Sequence, residues 1–487
     1  MTSTSQTVSR EHRLYLDGRW VDGMDSGLAT ITSPVTGEIV AEVAAAGVTD
    51  VDRAVRAARA AYEAHRHATS FERAAWVERI ADVVARRADE LADAMVLEQG
   101  KPRTEAHGEV QVVAQGFRLA GEEARRLRGD TIPTEDPRKR VLTFRRPIGV
   151  IAAITPWNYP LNIPREYIAP AIASGNAIIL KPAPTTAGLA ALLFECIEEA
   201  DIPSGLVGLL TGPSVEMATA LVQHPGVNAV CFTGSSATGA TVARLASGRP
   251  TLMELGGNGP TIVLSDADVE RAVASIASSA FGNAGQSCTA PERIIAAPSI
   301  RAELVAGLTE AALAARLGDP REAGTTIGPL NNEAVAAKMD AHLADSVERG
   351  ARITTGGKRA GGFPTALYYQ PTVLDDVPQA ALIHQEETFG PIAPVTVVDG
   401  DERILSLANG CALGLSAALF TRDLERAFWF AERLETGQVN INDSADWGEI
   451  HVPFGGGAGK ASGSGRVGGP YTFDFMTQLR SINLDVG

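Results

Sequence analysis

The spacing of apolar and polar positions changes repeatedly along this chain, and each change predicts a different element. Leu14-Tyr15-Leu16-Asp17-Gly18-Arg19-Trp20-Val21 sets short apolar runs on either side of an Asp-Gly pair, which predicts two strands and a tight turn. Ser33 to Val40 reads as a second turn followed by a strand. Thr49 then caps an alanine- and arginine-rich helix over residues 50–65. Residues 71–99 and 104–127 carry apolar side chains at helical spacing. From residue 148 onward the pattern alternates. Short apolar runs at 148–154, 177–180, 205–211 and 227–232 are separated by helical stretches at 160–174, 186–200 and 214–223. A second alternating region puts strands at 261–264, 293–297 and 394–398, with helices at 268–281, 301–314 and 332–349. Continuous apolar strands between helices predict doubly wound α/β sheets buried on both faces, here two in series. Residues 455–469 are dense in glycine and serine and predict a loop.

The chain has 487 residues, too many for one core, so two or three domains are expected. Hydrophobic content of 45% with 21% charged residues fits a soluble globular enzyme. The formal net charge of -15 argues against nucleic acid or an anionic membrane as partner. Cys196, Cys231, Cys288 and Cys411 form no CxxC pair, so neither a metal site nor a disulfide framework is signalled. Residues 1–11 are polar, lack the apolar core of a signal peptide and are expected to be disordered. With no run long enough to span a membrane, a cytoplasmic protein is expected.

Some segments carry candidate chemistry. Cys288 follows Gly285-Gln286-Ser287, small and polar neighbours that offer backbone donors rather than packing. That setting suits a nucleophile better than a core thiol. Glu254 is flanked by Leu252, Met253 and Leu255 and followed by Gly256-Gly257; a carboxylate in apolar surroundings suits general-base work. Asn158, in Thr155-Pro156-Trp157-Asn158 after an apolar strand, is either a turn residue or an oxyanion donor. Lys181 ends another strand and is either solvated or a binder of hydroxyls or phosphates. Thr233-Gly234-Ser235 follows a strand and opens a helix, where free amides can bind phosphate. Two patterns fail their context. Gly463-Ser464-Gly465-Arg466-Val467-Gly468 matches GxGxxG without a preceding strand, and Gly459-Lys460 lacks the rest of a phosphate-binding loop.

These segments together resemble the aldehyde dehydrogenase superfamily. The motifs occur in the family's order: Pro156-Trp157-Asn158, Lys181-Pro182, Phe232-Thr233-Gly234-Ser235, Glu254-Leu255-Gly256-Gly257, Gly285-Gln286-Ser287-Cys288, Glu387-Thr388-Phe389-Gly390-Pro391 and Pro453-Phe454-Gly455-Gly456. The resemblance implies a Rossmann-type cofactor domain (1–127 and 148–254), an α/β catalytic domain (255–466) and a small β oligomerisation arm (128–147 and 467–487), assembled as a homodimer or homotetramer. It implies Cys288 as nucleophile, Glu254 as the base that activates water, and Asn158 with the Cys288 amide as oxyanion hole. It implies NAD or NADP as cofactor, held by Ile154, Thr155, Pro156, Trp157, Lys181, Pro184, Gly234, Ser235, Gly256, Glu387 and Phe389, with no metal. The implied reaction is oxidation of an aldehyde to its acid through a cysteine hemithioacetal and thioester.

Departures from the family pattern bear on specificity. Pro184 stands where NAD-preferring members often carry a glutamate, so NADP is expected to be accepted. The loop after Phe454 is two residues longer than usual. Glu166 lies on a helix that lines the family's substrate tunnel, where apolar residues are common; it either meets substrate or pairs with Arg165. Trp447, Glu449, His451 and Phe454 are placed near the opposite wall. The acidic group points to a polar or cationic aldehyde, with a carboxylated semialdehyde as alternative. A cysteine thioesterase or amidase on the same scaffold needs a histidine partner, for which no motif stands out.

Overall fold

A computed structural model describes residues 10–24, 27–457 and 459–487. Two large sheets organise the chain. The first runs, edge to edge, Gly463–Ser464, Thr251–Glu254, Ala229–Thr233, Val150–Ile154, Ala177–Lys181, Val207–Leu209, Leu14–Leu16 and Arg19–Val21. The strands from Thr251–Glu254 to Val207–Leu209 are parallel. Val150–Ile154 comes first in the chain among these. Its next two successors build outward on one side, and the chain then returns to place Ala229–Thr233 and Thr251–Glu254 on the other. The direction of growth therefore reverses between Val150–Ile154 and Ala229–Thr233. A crevice opens there, beyond the carboxyl ends of the strands.

The strand composition explains the layers. Ile151, Ala153, Ile178 and Leu180 pack into one core with the helices Ser70–Arg86, Arg103–Arg126, Asn162–Ser174 and Ala187–Glu199. Val150, Ala152, Ala177 and Ile179 pack into another with Val48–His65 and Val215–Gln223. Neighbours along each strand point to opposite faces, and both faces are covered, which is why the strands are apolar throughout.

The second sheet runs Arg352–Thr355, Thr372–Asp375, Ile392–Val397, Arg293–Ala296, Pro260–Val263, Ser416–Phe420 and Gln438–Ile441, parallel except for its first, antiparallel strand. A third sheet stands apart: Thr477–Asp485 pairs antiparallel with Lys139–Pro147, which also holds Thr131–Ile132. It leaves Phe144, Leu479, Ile482 and Leu484 exposed.

Several local expectations need correction. Of the N-terminal stretch read as disordered, residues 1–9 lie outside the described residues, but Arg10–His12 forms a strand beside Ile39–Ala44. His12 is buried there, which gives a polar segment an anchor. The helical stretch at 71–99 is two helices, Ser70–Arg86 and Ala88–Gln99. They meet at Arg87, whose backbone leaves helical geometry and whose guanidinium is held by Glu90 and Glu195. The glycine-rich tail is not all loop. Gly463–Ser464 adds an antiparallel strand to Thr251–Glu254, and Phe454 bridges Val467. Among the described residues no helix is long and apolar enough to cross a membrane.

Candidate active site

The Val150–Ile154 strand delivers the Thr155-Pro156-Trp157-Asn158 loop to the crevice. Asn158 is buried, and its backbone carbonyl accepts hydrogen bonds from Lys101 Nζ (3.1 Å) and Asn283 Nδ2 (3.1 Å). Lys101 is in turn paired with Glu109 at 2.6 Å, both side chains buried, and lies 4.3 Å from the centre of the Tyr159 ring. Glu109 Oε1 accepts from the backbone N–H groups of Leu161 (2.9 Å) and Asn162 (3.0 Å). A buried ion pair thus clamps the loop on both sides of Tyr159. The Asn158 side chain donates to the Gln286 carbonyl at 3.2 Å, and its second N–H is available to a ligand.

Cys288 is brought to the same place by an unusual turn. Asn283, Ala284 and Gly285 have φ of 49°, 53° and 70°, three successive left-handed residues. Such residues cost of order 1–2 kcal/mol each when they carry a Cβ, so the surroundings must hold them. They do. Asn283 accepts from Gln99 Nε2 (3.0 Å) and its backbone N–H donates to Glu105 (3.0 Å). Gln286 Nε2 donates to the Asn283 carbonyl (3.0 Å), while Gln286 Oε1 accepts from Asn331 N–H (2.8 Å). The Cys288 carbonyl lies against Gly257, where any Cβ would come within 1.8 Å of it. Glycine at 257 is therefore a condition for placing the thiol.

Glu254 ends its strand buried, and neither carboxylate oxygen has a hydrogen-bond partner among the described residues. A Cβ at Gly455 would lie 2.8 Å from Glu254 Oε1, so this glycine keeps the carboxylate's space open. Burial raises the Glu254 pKa well above the ordinary carboxylate range, the negative charge of Glu166 adds to the rise, and Arg466 opposes it. Burial likewise raises the Cys288 thiol, followed by the charges of Glu387, Glu254 and Glu166. The tail loop is stitched to this strand: Leu255 N–H donates to the Ser462 carbonyl (3.1 Å), and Ser462 Oγ to the Gly256 carbonyl (2.6 Å).

Glu387 and Phe389 reach the crevice from the second sheet. Glu387 Oε1 accepts from Gly257 N–H at 3.0 Å. Phe389, at φ 66°, meets Trp157 edge to face at 5.6 Å. Buried Glu292 holds this strained loop by accepting from the backbone N–H groups of Thr388 (2.6 Å) and Phe389 (2.5 Å).

A cavity of about 700 Å³ joins these groups. It is lined by Pro156, Trp157, Asn158, Glu166, Gly234, Ser235, Glu254, Gly256, Cys288, Glu387, Phe389, Trp447 and Phe454. Ile154, Thr155, Lys181 and Pro184 lie outside that lining, at the carboxyl ends of Val150–Ile154 and Ala177–Lys181 and just beyond them. Glu166 lines the cavity, and its carboxylate also lies 3.6 Å from the Arg165 guanidinium.

The crevice fits a dinucleotide. Ser235 caps the helix Ser236–Leu245, whose first turn offers backbone donors, and the Thr155, Thr185 and Ser236 hydroxyls are buried without partners. Among the described residues Lys181 has no carboxylate partner. Its Nζ donates to the Pro182 carbonyl (3.1 Å), and burial pushes its pKa down to about 8. Among the described residues no group of three or more His, Cys, Asp or Glu side chains is placed to hold a metal. The false phosphate-loop lysine, Lys460, is occupied by Glu435 and the carbonyls of Asn409 and Cys411.

Lys101, Glu109, Asn283, Glu292 and Lys338 escaped the sequence reading, and Arg165 entered it only as a partner for Glu166. Lys338 lines the cavity beside Val335, and Arg165 lines it beside Glu166. Lys101, Glu109 and Glu292 look like ordinary charged residues until their partners, remote in sequence, are known.

Comparison with known proteins agrees with this geometry. Residues 20–482 match the aldehyde dehydrogenase family. A glutarate-semialdehyde dehydrogenase of Pseudomonas aeruginosa is 39% identical over 96% of this chain and 97% of its own. The succinate-semialdehyde dehydrogenase (NADP(+)) of Escherichia coli K12 is 37% identical over 96% of each chain. The crystal structure of a succinate-semialdehyde dehydrogenase from Burkholderia pseudomallei superposes with a TM-score of 0.95 at 35% identity, covering 100% of both chains. With its motifs in order around one cavity, the chain belongs to the aldehyde dehydrogenase family.

Proposed function

We propose that this enzyme oxidises a small polar aldehyde to its acid, with Cys288 as nucleophile. The observation that carries the reading is the meeting, in one cavity, of a half-buried thiol, a carboxylate with no partner among the described residues, and a side-chain amide. The Cys288 thiolate adds to the aldehyde carbon, forming a hemithioacetal whose oxyanion accepts from the Asn158 amide and the Cys288 backbone N–H. Trp157, Lys181, Ser235, Glu387 and Phe389 would hold a nicotinamide dinucleotide, which when bound would supply the acceptor for the hydride that this carbon loses. The thioester left on Cys288 is hydrolysed by water that gives its proton to Glu254. The raised pKa of Glu254 suits it to that task near neutral pH.

Exposed Pro184 places no negative charge near Lys181, which supports acceptance of a 2′-phosphate and hence of NADP as well as NAD. A second reading, oxidation of a carboxylated semialdehyde, is supported by the names of the relatives and by Arg165 in the cavity lining. The exposed apolar residues of the third sheet support an oligomerisation arm in a homodimer or homotetramer, and four free cysteines support a reducing, cytoplasmic location.

The test is reduction of NAD and NADP with a panel of aldehydes. Cys288→Ala is expected to abolish it. Glu254→Gln is expected to release one burst of reduced cofactor and then stall. Full activity of Cys288→Ala would overturn the mechanism.

A further inference from the structure

The substrate side of the cavity has a charge pattern that the mechanism does not use. Glu166 sits on the helix Asn162–Ser174, which begins just after the Asn158 loop, and lines the cavity. Its Oε1 accepts from Asn162 Nδ2 at 3.3 Å and faces Arg165 Nη2 at 3.6 Å, while Oε2 has no partner among the described residues. The Arg165 guanidinium is the more deeply buried member of the pair, with 7% of its side chain exposed against 23% for Glu166. It lies across Gly116 of the neighbouring helix, where any Cβ would come within 2.5 Å of it, and it also donates to Asn162 Oδ1. Arg165 also lines the cavity, but the acid is the more exposed member of the pair and the one it presents more to a ligand. Glu123, Asp446 and Glu449 line the same cavity and outnumber its other cation, Lys338, and the rings of Tyr159, Trp447 and Phe454 line it too. Carboxylates and aromatic faces together attract a cation and repel a carboxylate.

We infer that Glu166 makes this cavity select an aldehyde that carries an ammonium group, primary or quaternary, over one that carries a carboxylate. The inference rests on the aldehyde-oxidising reading above and names its substrate class. Glu166, Cys288 and Glu254 line one cavity, so the ammonium and the reacting carbonyl belong to one small molecule.

Three aldehydes of matched length separate the possibilities: 4-trimethylammoniobutanal, butanal and succinate semialdehyde. A quaternary ammonium cannot close on its own carbonyl. kcat/KM is measured for each with the wild type, Glu166→Gln and Glu166→Lys. The wild type is expected to favour the cation over butanal, and butanal over the anion. Glu166→Gln lowers the cation-to-butanal ratio about tenfold, the equivalent of about 1.4 kcal/mol. Glu166→Lys turns the preference toward succinate semialdehyde. A wild type that favours succinate semialdehyde overturns the inference, and so does a ratio that neither substitution moves. Either result leaves the oxidation of aldehydes standing. If no aldehyde of the three is oxidised with either cofactor, the parent reading falls instead.

Discussion

Replacing Lys101 by methionine tests whether a buried ion pair holds the oxyanion donor in place. The substitution keeps the length of the aliphatic stem but removes the charge. It leaves Glu109 buried with two backbone N–H donors and no cation, and it removes one of the two donors to the Asn158 carbonyl. Stranding one partner of a buried pair costs about 3–5 kcal/mol, and the lost contact with the Tyr159 ring adds about 0.5–2 kcal/mol. If most of this is released when the protein unfolds, thermal inactivation at fixed temperature becomes about 10²- to 10³-fold faster, at about 1.4 kcal/mol per factor of ten. Glu109→Gln strands the lysine instead and is expected to be similarly harmful. The double variant Lys101→Met/Glu109→Gln strands nothing and is expected to be more stable than Lys101→Met alone, with a coupling of about 2 kcal/mol or more. Inactivation half-lives and circular-dichroism melting of the four proteins complete the cycle, and kcat is measured on each folded variant. Because Asn158 also loses a tether, kcat falls in the double variant while its stability recovers. Singles whose effects simply add, or a Lys101→Met protein as stable as the wild type, would refute the reasoning.

The raised thiol and the glycine beneath it give two further outcomes. Burial and the three nearby carboxylates hold Cys288 protonated at neutral pH, so raising the pH forms the attacking thiolate. Single-turnover acylation, and alkylation of the protein alone by iodoacetamide, should both climb by up to about tenfold per pH unit above neutrality; a flat alkylation profile from about pH 6 to 9 contradicts the assignment. Gly257→Ala forces a Cβ into the space of the Cys288 carbonyl and should lower kcat by at least about 10²-fold through misplacement of the thiol, while Gly248→Ala, at a position with open space but positive φ, should cost stability more than kcat. Similar kcat values for the two variants would break the link between Gly257 and the thiol.

Legibility in the sequence followed the range of the forces involved. The apolar runs at 148–154 and 177–180 announced buried parallel strands because a strand covered on both faces has no polar positions to spare. Asn158, Glu254 and Cys288 were readable because each sits in a short segment whose neighbours are odd for packing alone. The split at Arg87 was not readable, since one of the two carboxylates that hold its guanidinium is Glu195, on a helix remote in sequence. The strand at Arg10–His12 was missed because a polar edge strand has no apolar pattern of its own.

What the sequence determined by itself, then, was the alternation of elements, the candidates for the reacting groups and the family they signal. These depend on local composition and on motif order. Tertiary structure decided the rest. It set the reversal of strand order that opens the crevice between Val150–Ile154 and Ala229–Thr233, and the clamp of Lys101 and Glu109 on the Asn158 loop. It placed the Glu292 carboxylate under Phe389 and left Glu166 more exposed than Arg165 in the wall of the cavity that both line. Each is an interaction between residues far apart in the chain, whose energy comes from burial and geometry that exist only once the sheets have closed around them.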